Sequence, residues 1–313
     1  MSLLDRARGA FAPAPAADPR RAGEEIRLLV ARSLVLQLRA AGVLPRLRDA
    51  EFQVFSQFGD DGILQYLLAR LGPLDDRFIE FGVQDYVESN TRFLLQADNW
   101  RGLVIDGGAE NVARIREADF HWRHDLTALH AFVDRDNVNR LFRDAGFTGE
   151  IGLLSVDIDG NDYWVWETIE VVSPVITVCE YNAVLGDRLP VTVPYDPAFQ
   201  RTRAHPSNLY WGASLPALCH LAERKGLCFV GTNGAGNNAY FVRRDRLGPL
   251  RPLAPREGFV DSRFRESRDT EGRLTFLSGA ARRAAIAEMP VVDVTTGRTL
   301  RVGDLPPSGE GVP

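Results

Sequence analysis

From residue 77 to residue 243 the chain alternates short apolar runs with amphipathic stretches, and no other feature constrains its fold as strongly. Arg77–Gly82 (RFIEFG), Gly102–Asp106 (GLVID), Thr127–Val133 (TALHAFV), Ile151–Asp157 (IGLLSVD) and Val175–Glu180 (VITVCE) read as buried strands. Asn90–Ala97, Glu110–Ala118, Arg135–Ala145 and Tyr163–Val171 read as the helices between and after them. Leu215–Lys225 reads as one more helix, ahead of a strand pair, Leu227–Gly231 and Ala239–Arg243, joined by the loop TNGAGNN. Strands linked through helices run parallel and need cover on both faces. The expected fold is α/β: a mainly parallel sheet, helices on both faces and a terminal antiparallel strand.

The flanks lack this rhythm. Residues 1–21, rich in Ala, Pro and Arg, read as a disordered tail. Residues 22–50 form an expected helical extension, with Ile26, Leu29, Val30, Leu34 and Leu38 at helical spacing. That segment is a candidate for packing on the domain or for self-association, so a homo-oligomer is among the expected assemblies. A helix is expected near Asp60, with Asp60 and Asp61 suited to the positive end of its dipole. The α/β domain is assigned to 51–250, and 251–313 to a C-terminal extension with one helix expected near Ala280–Glu288.

Composition narrows the function. The 313 residues, 45% apolar, can bury a large core. Lys and Arg number 37 against 42 Asp and Glu, a net charge of −5, which disfavours nucleic acid as a general partner. No apolar run approaches the roughly 18–20 residues of a membrane span, and the N-terminus does not read as a secretory signal. Cys179, Cys219 and Cys228 lack the spacing of a disulfide framework or a zinc site. The expectation is a soluble, cytoplasmic protein.

Ligands of open α/β sheets bind at the carboxyl ends of the strands. Here those ends are acidic: Glu80, Asp106, Asp134, Asp157 with Asp159, and Glu180. An acidic mouth suits a cation, hydroxyl donors or a divalent metal better than a pyrophosphate. The dinucleotide signature GxGxxG is absent after the first strand, which continues GVQDYVES. Asp106 ends the second strand, where a carboxylate accepts ribose hydroxyls. S-adenosylmethionine, with a sulfonium cation, a ribose and no phosphate, fits such a site.

The chain resembles the FkbM-like methyltransferases, a branch of the Rossmann-like S-adenosylmethionine-dependent enzymes. The stretches that carry the resemblance are SQFGDDGIL (56–64), FIEFGVQDYVESNT (78–91), GLVIDG (102–107), LLSVDIDGNDYWVWE (153–167), EYN (180–182), VTVPYDPAF (191–199), GASLPALCHLAERKG (212–226) and NAYFVRRD (238–245). The resemblance implies methylation of a hydroxyl on a sugar, glycan or secondary metabolite, with a small-molecule or glycan acceptor. It puts Glu80 and Gly82 in the donor loop, Asp106 at the ribose, and Ser56 and Gln57 beside the donor pocket. Asn90 and Asp134, near the ends of the first and third strands, complete the candidate donor-binding set. The sequence departs from the family in lacking a second Gly after the first strand and in carrying Asp85-Tyr86 where Asp-Gly is common.

Asp157, Asp159 and Asp162 have two readings: turn and helix-cap chemistry, or a hard-metal or substrate site. Metal-dependent O-methyltransferases of related fold hold a divalent ion with acids after strands four and five; Asp157, Asp159, Glu180 and Asn182 look similar, with Mg, Mn or Ca as the expected ion. A base is also needed to deprotonate the acceptor. His205, in the irregular 183–211 segment, is the candidate, with Asp159 as a carboxylate alternative. His130 reads as a structural residue of a buried strand. Two other classes remain open: a non-catalytic carbohydrate- or partner-binding module on the same fold, and a metal-dependent hydrolase built on the acidic strand ends.

Overall fold

The computed structural model describes residues 19–308. Residues 1–18, most of the expected tail, and 309–313 lie outside the described residues. Helix α1 (Pro19–Ala40) includes residues 19–21, which had been expected in the tail. Ala31 and Val35 on α1 bury against Val54, Phe55 and Phe93, and Glu24 pairs with Arg92 at 3.0 Å.

Side-chain alternation builds the central layers. On β1 (Arg77–Phe81) and β2 (Arg101–Asp106), Phe78 and Val104 join one apolar cluster, while Ile79, Phe81, Leu103 and Ile105 join another on the opposite face. The first cluster is covered by α2 (Asp60–Leu71), α3 (Arg92–Asp98) and α4 (Ala109–Glu117) through residues such as Ile63, Leu94 and Ile115. The second is covered by α5 (Val138–Asp144), α6 (Asp162–Thr168) and α7 (Leu215–Arg224) through Phe142, Trp166 and Leu218. Both faces are therefore apolar, as a buried parallel sheet requires.

The remaining main-sheet strands are β3 (Leu126–His130), β4 (Gly149–Val156), β5 (Val172–Glu180), β7 (Leu227–Thr232) and β8 (Asn238–Arg243). Their order is β3-β2-β1-β4-β5-β8-β7. Strands β1 to β5 are mutually parallel, and β8 runs antiparallel between β5 and β7. This is the α/β architecture that the sequence pattern predicts, a mainly parallel sheet with helices on both faces and antiparallel pairing at one end. The strand order reverses between β1 and β4, so the crevice at their carboxyl ends is the topological switch point.

The sequence pattern gives no hint of a second sheet. The two-residue β6 (Val191–Thr192) pairs with β9 (Pro290–Asp293), and β9 with β10 (Thr299–Arg301), all antiparallel. Val191, Leu209 and Tyr210 share an apolar cluster with Ile286, Val291 and Val302. The C-terminal segment is thereby packed onto the 183–211 segment above the main sheet. Among the described residues, no helix is long and apolar enough to cross a membrane.

Some local expectations need correction. His130 is exposed at the end of edge strand β3, its Nε2 3.2 Å from the Gly107 carbonyl. Asp60 does more than face a helix dipole. It is buried, with Oδ1 accepting from the Tyr240 hydroxyl and from Asn233 and Asn238 at 3.1 and 3.0 Å. These bonds tie α2 to the β7–β8 hairpin, while Oδ2 has no partner. Removing one donor from a buried, under-satisfied carboxylate costs about 1–3 kcal/mol. Tyr240→Phe, which keeps the ring, should therefore lower the denaturation free energy by that amount; a change below about 0.5 kcal/mol would show that the bond does not secure the hairpin.

Candidate functional site

Two cavities meet above the carboxyl ends of β1, β2, β4 and β5. The smaller, about 190 Å³, is lined by Gly82, Gln84, Asp106, Gly107, Phe132 and Val133 among others. The larger, about 980 Å³, is walled on its other side by residues from 199–211 and 262–282. Gly82, Gln84, Phe132, Asp157, Ile158, Asp159 and Phe199 line both, so the cavities share a wall.

The loop after β1 is shaped by Glu80. Its buried carboxylate accepts from Ser89 Oγ at 2.6 Å, Asn90 N at 3.0 Å, Thr91 N at 3.2 Å and Thr91 Oγ1 at 2.5 Å. Burial pushes the Glu80 carboxyl up, and these donors oppose that. Gly82 sits at φ +80°, and a Cβ there would collide with the Asp157 carbonyl oxygen. Only glycine lets the end of β1 pass so close to the end of β4. Without a second glycine, the loop reaches left-handed conformations at Gln84 (φ 49°) and Tyr86 (φ 62°). Such residues cost about 1–2 kcal/mol each. Two bonds offset that cost: Gln84 N donates to Asp106 Oδ2 at 2.7 Å, and the buried Tyr86 hydroxyl lies 2.8 Å from Thr91 Oγ1.

Asp106 is the switch between loop and cavity. Its Oδ1 accepts from Gly108 N at 2.7 Å and Asn111 Nδ2 at 2.9 Å. Among the described residues its Oδ2 accepts only the Gln84 bond, which leaves a lone pair for a ligand on a carboxylate that lines the smaller cavity.

The acids after β4 and β5 divide by role. Asp162 is fully buried and accepts from Ile158 N at 2.8 Å and Gly160 N at 2.9 Å, so it is a turn residue. Asp157, Asp159 and Glu180 line the larger cavity, and one oxygen from each lies within 4.8 Å of the others. Glu180 is 8% exposed and its Oε2 has no partner. Burial, then the neighbouring carboxylates, pushes Asp157 and Glu180 well above the usual carboxylate range, and the two are close enough to share a proton. Arg201 answers part of the charge: its Nη1 lies 2.7 Å from Asp159 Oδ1 while its guanidinium stacks on Trp211.

Several expected site residues lie elsewhere. Ser56 is turned inward, exchanging bonds with Asp61 at 2.9 and 3.0 Å, and lines neither cavity. Its neighbour Gln57 does line the larger one. Asn90 donates to Glu80 through its backbone and to Ser155 Oγ through its side chain at 3.2 Å, which makes it a loop clamp. Asp134 caps the turn into α5, accepting from Asp136 N and Asn137 N at 2.9 Å each. Asn182 lines the larger cavity, yet its amide donates to the Leu209 and Trp211 carbonyls at 2.9 Å and accepts from Val184 N at 3.0 Å, so it is a strut and not a ligand. His205 lines neither cavity; Ser207 N donates to its Nδ1 at 3.2 Å, and burial pushes its proton affinity down.

Other lining residues escaped the sequence reading. Phe132, 51% exposed, presents an aromatic side chain to the smaller cavity. The sequence pattern places it inside the expected strand Thr127–Val133, whereas β3 ends at His130 and leaves Phe132 in the loop that follows. Phe264, Glu266, Arg268 and Arg282 reach the larger cavity from the C-terminal segment, and no spacing could have linked them to β4.

No protein-family model matches the chain, and no curated protein matches it. Among solved structures, the N-terminal domain of EvdMO1 with S-adenosylhomocysteine bound is 11% identical, with 68% of this chain and 94% of that chain covered, at a TM-score of 0.39. An O-methyltransferase from Bacillus cereus, also in complex with S-adenosylhomocysteine, is 12% identical, with 76% and 94% covered, at a TM-score of 0.37. Likenesses this distant decide neither chemistry nor substrate.

The buried acids make stability depend on pH. Burial pushes Asp162 up to about 6 from an ordinary 3.8. The folded chain therefore binds this proton more tightly than the unfolded chain, and stability falls as pH rises through that interval. The gap corresponds to about 3 kcal/mol, and Asp157 and Glu180 act in the same direction. With divalent ions chelated, Tm at pH 5 should exceed Tm at pH 7.5 by about 5 °C or more, and Glu180→Gln should flatten the slope. A Tm that is level or rises with pH over this range would show that the acids are already neutralised.

Proposed function

We propose that this chain is an S-adenosylmethionine-dependent methyltransferase that methylates a hydroxyl on a sugar, glycan or secondary metabolite, as its resemblance to FkbM-like enzymes implies. The observation that carries the reading is Asp106: a carboxylate at the end of β2 with a free Oδ2 lone pair, facing a cavity beside the glycine that ends β1. That arrangement suits a ribose. Phe132, at the same cavity, offers a face on which adenine can stack. Gln57, Gly82 and Gln84 complete the donor side.

When bound, S-adenosylmethionine supplies a methyl group on a positively charged sulfur. The chain's own residues then have three tasks. Asp106 and Phe132 fix the nucleoside. Asp157 and Asp159, on the wall shared by the cavities, face the approach of a cationic centre with negative charge. The larger cavity holds the acceptor so that its oxygen meets the methyl carbon in line, and positioning supplies much of the rate. As the new O–CH3 bond forms and the S–CH3 bond breaks, the hydroxyl proton leaves to a base. Glu180 Oε2, unpartnered and of raised proton affinity, fits that task better than His205.

A divalent metal also fits the donor set. Asp157, Asp159 and Glu180 offer three hard oxygen ligands and a buried oxygen that lacks any other partner. They would hold the ion, and it would lower the pKa of a hydroxyl bound beside it. Millimolar Mg, Mn or Ca should raise Tm of chelator-treated protein in the presence of S-adenosylhomocysteine, and Glu180→Gln should abolish the rise. No rise with any of the three ions retires the metal and leaves the acids to the acceptor.

Calorimetry with S-adenosylhomocysteine tests the donor assignment. Loss of a charge-assisted bond or of a base stack costs about 1.5–3 or 1–3 kcal/mol respectively. Phe132→Ala should weaken binding roughly tenfold or more while Tm stays near wild type, and Asp106→Asn should weaken it at least as much in a variant that still folds, its Tm lowered by loss of an internal hydrogen bond such as that from Gln84 N. Unchanged affinity in both folded variants would remove the ribose and adenine assignments.

A further inference from the structure

The larger cavity is acidic on its sheet side and basic on the side supplied by residues after 200. Two of those four arginines are committed within the fold. Arg201 is divided between Asp159 and Glu266, at 2.7 and 3.7 Å. Arg268 is held by Glu266 at 2.9 Å and by the Gly272 carbonyl at 3.0 Å. Arg282 is different. It lies on the short helix Ala280–Ala285, is 6% exposed, and lines the cavity. Among the described residues its guanidinium makes one hydrogen bond, from Nη1 to the Ser262 carbonyl at 3.2 Å, and its buried Nε meets no acceptor.

Among the described residues, no carboxylate makes an ion pair with Arg282. Burial disfavours its charge, the Asp261 carboxylate offsets this from beyond ion-pair distance, and Arg201 adds repulsion. A guanidinium kept from water without a counter-charge is costly to hold. Proteins bury such a group where something else completes it, and a planar fork of N–H donors matches an oxyanion. Arg203, exposed on the same cavity and without a side-chain partner among the described residues, adds a second available cation.

We propose that Arg282, with Arg203 at the rim, receives an anionic group of the methyl acceptor, so that the acceptor is a hydroxylated molecule bearing a carboxylate or phosphate. The charge distribution sets its direction. The carboxyl groups of Asp157, Asp159 and Glu180 offer an anion no donor of their own at the strand ends, whereas Arg282 and Arg203 do elsewhere on the cavity wall, which leaves the neutral hydroxyl end to face the donor. This proposal rests on reading the larger cavity as the acceptor site.

D-glucuronate, D-glucose 6-phosphate and D-glucose serve as probes, titrated into the full chain by calorimetry with and without S-adenosylhomocysteine. At least one anionic sugar should bind roughly tenfold or more tightly than glucose, and the better of the two identifies the group as carboxylate or phosphate. Arg282→Met should erase the preference and Arg282→Lys should keep part of it; if the methionine variant does not fold, a weakened preference in the lysine variant carries the same test. Equal behaviour of the three sugars towards wild-type protein, including no binding by any, overturns the proposal. So does a full preference in the folded Arg282→Met variant. The same titrations separate the two readings: an anion preference without S-adenosylhomocysteine binding removes the donor assignment, whereas donor binding without the preference removes this one.

Discussion

A carboxylate buried in the first strand of a sheet is destabilising unless donors surround it, and Glu80 recruits its donors from the loop that follows its own strand. Ser89, Asn90 and Thr91 fold back onto it. That return draws residues 83–88 into a tight arc beside the end of β2, where Gln84 meets Asp106. Gly82 lets the arc begin against the backbone of Asp157. Both cavities have Gly82, Gln84 and Asp157 in their walls, so their shape follows from how one buried acid is satisfied.

Charge is arranged along the same line. The strand ends carry acids because parallel strands bring their carboxyl termini to one edge, and the crevice opens where the strand order reverses. Asp157 and Glu180 are too close for both to be charged in a dry site without help. Three kinds of partner can supply it: a shared proton, a metal ion or a ligand. Arg201 reaches Asp159 and leaves Glu180 Oε2 unpartnered. The site is therefore electrostatically incomplete at its acidic end and again at Arg282, and an acceptor with a hydroxyl at one end and an anion at the other would complete both.

Much of this was legible in the sequence, because β1 to β5 are apolar runs whose ends can be read to within three residues. The end of β2 at Asp106 followed directly, as did the meeting of Asp157, Asp159 and Glu180 above adjacent strands. Polar residues in loops are harder to read. Ser56, expected beside the donor pocket, and Asn90, Asp134 and Asn182, expected at the donor or metal, each bond to backbone or a neighbouring side chain. A short polar side chain near a strand end has the same appearance in sequence whether it faces the cavity or the chain. The C-terminal contribution was invisible for another reason. Arg282 lies more than a hundred residues after Asp157, and their segments reach one cavity through long-range packing, the pairing of β6 with β9 and the apolar cluster around Val191 and Ile286.

The central claim is that the ends of β1 and β2 form a nucleoside site whose open side faces the carboxylates of β4 and β5. A crystal structure grown with S-adenosylhomocysteine tests it most directly. The account predicts the ribose hydroxyls on Asp106 Oδ2, the adenine against Phe132, and the sulfur turned towards the wall of Asp157 and Asp159. A ligand bound elsewhere on the chain, or an unoccupied cavity at Asp106 in crystals grown at saturating concentration, would contradict it.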